Sequence, residues 1–402
     1  KLIDLFSYAN KHVPYYQNLF KKIAFDPKQI KSVKDLNSLP FLTKNIIREN
    51  QDALKSIDSH GLSRFNTGGS SGEPLIFYIG KDRVSHDVAA KWRATRWWGV
   101  DIGDREIVVW GSPIELGAQD RIRVLRDKML RTMLLPAFEM SEKKLDEFIT
   151  TIRRFRPKMI FGYPSSLSLI AKYAEANGDR MDKLGVKVAF VTSERLYDDQ
   201  RNAIEKVFAC PVANGYGGRD AGFIAHQCPS GNMHITAEDI IVEIVDGNGS
   251  LVEPGTAGEI VVTHLNTKDY PFIRYKTGDI GVLDYLHCPC GRGLPVLKEI
   301  QGRTTDFVVA SNGTIMHGLA LIYILRDLPG IKAFKIVQES LQQTNVFLEK
   351  EKTFNEDLIS EIESGFKSRL GKDVAIKINF VKEIPNEKSG KFRFIESKVA
   401  TY

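Results

Sequence analysis

The chain has 402 residues, of which 43% are hydrophobic, 26% charged and 10% aromatic, a balance that excludes collagen-like, fibrous and intrinsically disordered classes and suffices for two or more domains. The 56 Lys and Arg against 50 Asp and Glu leave a net charge of +6, too slight an excess to imply a nucleic-acid or membrane partner. Four cysteines, Cys210, Cys228, Cys288 and Cys290, are too sparse for a disulfide framework, so a reducing, cytoplasmic compartment is expected; no apolar run reaches the ~18 residues that a membrane helix needs.

In chain order, the apolar spacing of Ile3, Leu5, Phe6, Ala9, Val13, Tyr16, Leu19 and Phe20 predicts helix interrupted at Pro14. A short β-type run, Leu75 to Ile79, follows a Gly/Ser-rich stretch, and helical periodicity returns over Lys81 to Trp98. The basic cluster Arg121, Arg123, Arg126, Lys128 and Arg131 alternates with Ile122, Val124, Leu125, Met129 and Leu130 at helical spacing, which predicts an amphipathic helix with a solvated basic face. Apolar strands at 107–110, 159–161 and 186–191 alternate with helical segments at 141–155, 165–177 and 198–208; that alternation predicts βα units and a largely parallel sheet. After about residue 235 the texture turns to β, with 240–245 and Leu251-Val252 flanking Asp246-Gly247-Asn248-Gly249 as a predicted hairpin. Residues 304–402 alternate strands and helices again and read as a small, separate α+β domain.

Four segments have the composition of chemistry. Thr67-Gly68-Gly69-Ser70-Ser71-Gly72 combines glycines, which let backbone N–H groups converge, with hydroxyl donors, and so suits a polyphosphate as well as a flexible turn. It lacks the Gly-Lys-Ser/Thr of a Walker loop. In Asn214-Gly215-Tyr216-Gly217-Gly218-Arg219-Asp220 the glycines permit close approach to a flat ligand, the ring can stack, and the carboxylate can hold a metal–phosphate complex; a tight structural loop is the plain alternative. Asp279 in Arg274-Tyr275-Lys276-Thr277-Gly278-Asp279 can accept both hydroxyls of a ribose or simply shape a turn. Lys391 follows Ser389-Gly390 on a polar loop near the end and can swing into a phosphate site or remain solvated.

The order of these segments, with Gly302-Arg303 between the last two, resembles the motif series of the acyl-adenylate-forming superfamily. Ala9 to Tyr16, Tyr163-Pro164-Ser165-Ser166, Thr192-Ser193-Glu194 and Cys288-x-Cys290-Gly291-Arg292 are similar to the branch that contains phenylacetate–CoA ligases and capsular-polysaccharide adenylation proteins. The resemblance spans nearly the whole chain. It implies an α/β fold: a large N-terminal adenylate-forming domain, 1–303, with parallel-rich sheets and a β-rich subdomain, and a small mobile α+β C-terminal domain, 304–402.

The resemblance also implies roles. A carboxylate would attack the α-phosphate of Mg·ATP, and the resulting acyl-AMP would be open to a thiol of CoA or carrier-protein pantetheine. Thr67, Gly68, Gly69, Ser70, Ser71 and Gly72 would hold the β- and γ-phosphates. Tyr216 would lie against adenine with Gly217 and Gly218 close by and Glu194 on the adenine side. Asp279 and Arg303 would meet the ribose. Asp220 stands where the superfamily usually has Glu, and would serve Mg2+ with a shorter reach. Lys391 would bridge the nucleophilic carboxylate and the α-phosphate, to be withdrawn by rotation about a hinge whose usual Asp or Lys is Thr305 here, followed by Asp306. Expected partners are a small carboxylic acid and CoA or a carrier protein, with a homodimer left open. Transfer to an amine, as on a sugar of a surface polysaccharide, and nucleotide binding without turnover are the alternatives. Trp97, Trp98, Phe161, Tyr163 and Asn214 are candidates for an acyl pocket by analogy.

Cys228, His234, Cys288 and Cys290 offer three thiolates and an imidazole, a full set for structural Zn2+, against the alternative of buried reduced thiols. His226 and His287 are alternative ligands. Similar cysteines in the resembling branch favour zinc, which with four protein ligands would brace the fold rather than catalyse.

Overall fold

The computed structural model describes residues 1–66, 75–110, 121–137, 140–194, 196–284, 287–301, 307–326, 328–384 and 394–399. It is a mixed α/β protein. The described residues cluster into two compact units, one of 1–66, 75–101 and 213–301, the other of 102–212 and 307–399. The expected boundary at 303 lies outside the described residues.

The first unit opens with helices Leu2–His12 and Pro14–Lys22. The break falls where predicted, because a residue before proline is driven out of the α region; Val13 is extended at φ −116°, ψ 106°. Phe6 stacks on Phe20 across the two helices, 5.9 Å between ring centres. The body is an antiparallel sheet whose strands pair in the order Ile240–Val245, Ala257–His264, Tyr275–Asp284, Val296–Gln301, Met233–Ile235, Gly222–Gln227 and Val212–Gly218. Helix Lys81–Arg96 lies against strand Gly222–Gln227. Strands Ser63–Asn66 and Ile76–Ile79 pair antiparallel, Asn66 opposite Ile76.

The predicted hairpin at 246–252 is corrected in extent. Asp246 Oδ1 accepts from the amides of Asn248 and Ser250 at 2.9 and 2.8 Å, which builds the turn, but only one bridge, Val245 to Leu251, follows it. The full partner of Ile240–Val245 is Ala257–His264, paired over six residues from Ile240–His264 to Val245–Glu259. Period-2 alternation identified the strands; the partner depends on which apolar faces meet.

The second unit holds the predicted parallel sheet, in the order Val188–Thr192, Met159–Gly162, Glu106–Trp110, Thr132–Pro136. Helices Glu142–Phe155, Pro164–Ala176 and Asp198–Phe208 supply the crossovers. The first is representative: Ser141 Oγ caps the amide of Lys144, and Leu145, Phe148, Ile149 and Ile152 form the stripe buried against the sheet. Helix Arg121–Met129 forms as predicted, yet Leu125 and Met129 on it are 59% and 74% exposed.

Residues 307–399 close a core of their own around Leu321, Leu325, Phe334, Ile336, Phe366 and Leu370. Its sheet runs Ala375–Phe380, Gln343–Lys350, Ile331–Ser340, Ile395–Ser397, covered by helices Leu319–Arg326 and Leu358–Leu370. Among the described residues no helix is long and apolar enough to cross a membrane.

Candidate active site

The strands Val212–Gly218 and Gly222–Gln227 form a hairpin whose ladder slips at Tyr216 and Gly217. Glycine is required here by space. A Cβ on Gly217 would stand 2.1 Å from the carbonyl oxygen of Gly222, and one on Gly218 would stand 2.7 Å from Asp220 Oδ1. Gly222 has φ +81°, the left-handed region, and a Cβ there would meet His264 Cδ2 at 2.9 Å. The two strands can therefore close tightly and present Tyr216 and Asp220 from one short turn.

The facing residues come from strand Tyr275–Asp284. Tyr216 OH donates to Asp279 Oδ2 at 3.0 Å, and Tyr275 OH donates to Asp220 Oδ2 at 2.5 Å. Burial first, and then the charge of Asp279, push the Tyr216 hydroxyl well above its ordinary pKa, so it stays a proton donor at all physiological pH. Asp279 follows Gly278, at φ +81°; its amide donates to Thr277 Oγ1 at 3.1 Å, and that hydroxyl donates to the carbonyl of Ile260 at 2.9 Å. Asp220 Oδ1 accepts from the amide of Ala221 at 3.1 Å. Two carboxylates are thus aimed by two tyrosines across the sheet.

Of the residues predicted from sequence, Tyr216, Gly217, Gly218, Asp220 and Asp279 come together in the first unit. Glu194 belongs to the second unit, where it follows Ser193, a non-glycine residue at φ 74°, and accepts from the hydroxyl of Ser165. Thr67, Gly68, Gly69, Ser70, Ser71, Gly72, Arg303, Thr305, Asp306 and Lys391 lie outside the described residues. In the second unit Tyr163 stacks on Trp110 at 4.3 Å, and Phe161 lies 5.8 Å from the same ring. Tyr275 was missed as a functional residue, although it sits four places before Asp279; its role depends on the distant Asp220.

At the far end of the hairpin strand, Cys228, His234, Cys288 and Cys290 place one donor atom each within 4.8 Å of one another. Neither His226 nor His287 belongs to that set. Cys228 Sγ and Cys288 Sγ are 3.7 Å apart, close to the edge of about 3.8 Å that a tetrahedron with Zn–S bonds of about 2.3 Å requires. His234 Nδ1 is 3.1 Å from the carbonyl oxygen of Leu294; a carbonyl only accepts, so Nδ1 carries the proton and Nε2 presents its lone pair to Cys290 Sγ, 3.1 Å away. Asn232 Nδ2 donates to Cys288 Sγ at 3.2 Å. Trp97 meets His234 edge-on at 5.8 Å and carries Arg292 on its face at 4.6 Å, while Trp98 Nε1 donates to the carbonyl of Gln227 at 3.0 Å. These contacts ally both tryptophans with the cluster. Cys210 stands apart, its thiol pushed up to about 12 by burial, and is chemically inert.

Comparison with known proteins places the chain among the following relatives. Residues 308–398 match the CapK C-terminal domain family. Protein CapK of Staphylococcus aureus is 26% identical over 402 residues, covering 97% of this chain and 86% of that protein. A phenylacetate-coenzyme A ligase of Thermus thermophilus is 23% identical over 384 residues, covering 93% and 82%. The crystal structure of 2-hydroxyisobutyryl-CoA ligase in an open conformation, in complex with 2-HIB-AMP and CoA, is 20% identical with a TM-score of 0.65, covering 98% of this chain and 89% of that one. The same ligase in the thioesterification state gives a TM-score of 0.69, with 99% and 88% covered. The chain is a homologue of Protein CapK and of the phenylacetate-CoA ligases, with a CapK C-terminal domain over residues 308–398 and the fold of the acyl-adenylate-forming CoA ligases.

Proposed function

We propose that this chain is an ATP-dependent acid–thiol ligase, which converts a small carboxylic acid to its acyl-AMP and passes the acyl group to CoA or a carrier-protein pantetheine. Likeness to phenylacetate-CoA ligases over most of the chain supports the reaction class. The observation that carries the reading in this chain is the pairing of Tyr216 with Asp279 and of Tyr275 with Asp220, which brings together an aromatic face, a ribose-sized acceptor and a phosphate-side carboxylate from the 212–227 hairpin and strand Tyr275–Asp284.

On this reading Tyr216 and the glycines beside it take the adenine, and Glu194 serves the same end from its own unit. Asp279 accepts from the ribose hydroxyls, with Arg303 beside them. Each Asp220 oxygen already accepts one hydrogen bond and keeps a second lone pair, so the residue fits a Mg2+·phosphate complex. Mg2+, when bound, supplies charge neutralisation of the triphosphate. Thr67 to Gly72 cradle the outer phosphates, and Lys391, carried on a lid formed by 304–402, meets the charge that accumulates at the α-phosphate. Preorganised charge at such a point contributes about 3–4 kcal/mol. The Cys228, His234, Cys288, Cys290 set fits Zn2+ and would hold it as a brace, since all four positions are taken by protein.

Exchange of labelled pyrophosphate into ATP across a panel of aryl, acyl and amino acids tests the first half-reaction; silence across the panel defeats it. Lys391→Ala should lower exchange by roughly a hundredfold to a thousandfold while sparing thiolysis of supplied acyl-AMP. Product analysis with CoA and with amines identifies the acceptor. Metal analysis of the purified chain should find one zinc per chain, absent in Cys288→Ala.

A further inference from the structure

Arg83 is a buried cation that no motif singles out. It sits in the first turn of helix Lys81–Arg96, where the helix dipole disfavours positive charge, and it is 1% exposed. Its Nη2 donates to the carbonyl of Arg219 at 2.8 Å, the residue before Asp220. Its Nε lies 3.5 Å from Asp87 Oδ2, one helical turn on, and the guanidinium lies over the ring of Phe272 at 5.2 Å. Among the described residues Nη1 has no hydrogen-bond partner. A buried guanidinium with an unpaired N–H costs free energy that burial of apolar surface does not return, so its retention calls for another reason.

The surroundings supply one. Arg83 is attracted by two carboxylates, Asp87 and Asp220. Asp87 accepts from the amide of Phe223, and its Oδ1 lies 3.6 Å from His264 Nε2. His264 Nδ1 accepts from the amide of Asn266 at 3.3 Å, and burial holds this imidazole below its ordinary pKa, in the neutral form. One guanidinium therefore faces two carboxylates at the root of the turn that presents Asp220.

We propose that Arg83 is a positioning residue for the phosphate side of the nucleotide site: it fixes the Arg219–Asp220 turn through the Arg219 carbonyl, and it offsets the two carboxylates so that a nucleoside polyphosphate can approach. The inference rests on the nucleotide reading above. Arg83 is too deeply buried to touch the ligand, so its effect is electrostatic and grows with the negative charge of what binds.

That dependence gives a test that a merely structural role would not pass. The purified full chain, wild type and Arg83→Met, is titrated by calorimetry with adenosine, AMP, Mg·ATP and metal-free ATP, and melting is recorded. Arg83→Met should bind adenosine within about twofold of wild type, AMP roughly threefold more weakly, metal-free ATP at least about tenfold more weakly, and Mg·ATP between the last two, because opposed charges act in proportion to their number. Arg83→Lys, which restores the charge without the planar fork, should recover most of the ATP loss. Asp87→Asn, which removes one carboxylate, should tighten metal-free ATP and leave adenosine unchanged. An equal loss for all four ligands, or no loss for ATP, overturns the proposal. If Arg83→Met does not fold, Arg83→Lys, expected near wild type for every ligand, and Asp87→Asn, expected to tighten metal-free ATP alone, decide it, and a weakening of ATP by Asp87→Asn is then the overturning result. A wild-type chain that binds neither AMP nor ATP defeats the nucleotide reading itself, an outcome distinct from graded binding that Arg83 leaves untouched.

Discussion

Two arginines of the first unit are buried to the same degree and bonded very differently. Arg274, 2% exposed, makes a bidentate pair with Glu243 at 3.1 and 2.9 Å, donates from Nη1 to the carbonyl of Leu39 at 2.5 Å, and lies over the ring of Phe41 at 4.3 Å. Arg83, 1% exposed, makes one close hydrogen bond, to the Arg219 carbonyl, and a looser ion pair with Asp87 at 3.5 Å, and among the described residues its Nη1 has no partner. The first is a staple: it ties the segment ending at Leu42 to the start of strand Tyr275–Asp284, where Leu42 N donates to the carbonyl of Arg274 at 2.9 Å, and it sustains a left-handed φ of 49° that only surrounding contacts can hold. The second spends its charge on the turn that carries Asp220. Burial alone does not distinguish the two; the number of satisfied N–H groups does.

Five substitutions break or sharpen that contrast. Arg274→Met should cost the most, about 3–5 kcal/mol in urea unfolding, because it strands a buried carboxylate, and it should weaken adenosine and ATP alike. Its sign with pH is fixed. Burial raises the pKa of Glu243 while Arg274 opposes the rise; without the cation the folded chain keeps a proton that the unfolded chain releases above about pH 4.3. The folded state then binds more protons, so stability falls as pH rises, and the deficit should be larger at about pH 8 than at about pH 5. Arg83→Met, which loses one close hydrogen bond and a looser ion pair whose carboxylate keeps His264 and the Phe223 amide as partners, should cost less than half as much stability as Arg274→Met; equal costs would erase the distinction.

Tyr275→Phe probes the point where the two arginines converge, since Tyr275 follows Arg274 and bonds Asp220. Loss of a hydrogen bond to a charged group, about 1.5–3 kcal/mol, should lower the melting temperature by a few degrees and pyrophosphate exchange roughly tenfold or more. Gly217→Ala should cost about 1–3 kcal/mol by overpacking against the Gly222 carbonyl, and binding of AMP should fall with it; an unaltered melting curve would show the hairpin to be looser than its geometry. Tyr216→Phe should be the mildest, about 1 kcal/mol, read as a roughly fivefold weaker AMP affinity with exchange per bound ATP unchanged.

Much of the architecture was legible from residue patterns. The break at Pro14, the parallel strands at 106–110 and 159–162, and the helix 142–155 each follow from local rules: proline geometry, apolar runs of strand length, and a 3.6-residue stripe. The glycines at 217 and 218 were legible as a place of close approach, although what approaches them, the Gly222 carbonyl and the Asp220 carboxylate, was not. The Cys228, His234, Cys288, Cys290 set was readable as donors, while the choice of His234 over His226 needed the strand register, His226 facing His234 across the ladder. Leu125 and Met129 have helical spacing but stay exposed, since a period says which side is apolar and not whether anything covers it.

The amino-acid sequence alone determined the elements, the order of the segments proposed to meet the nucleotide and the identity of the clustered thiol and imidazole donors, because turns, periodicity and ligand chemistry are properties of neighbouring residues. Only the tertiary structure decided which carboxylate each tyrosine aims, which histidine meets the thiols and which buried arginine is fully bonded. Those outcomes depend on contacts between residues 55 to 136 places apart, whose energies are set by burial and geometry that no local pattern encodes.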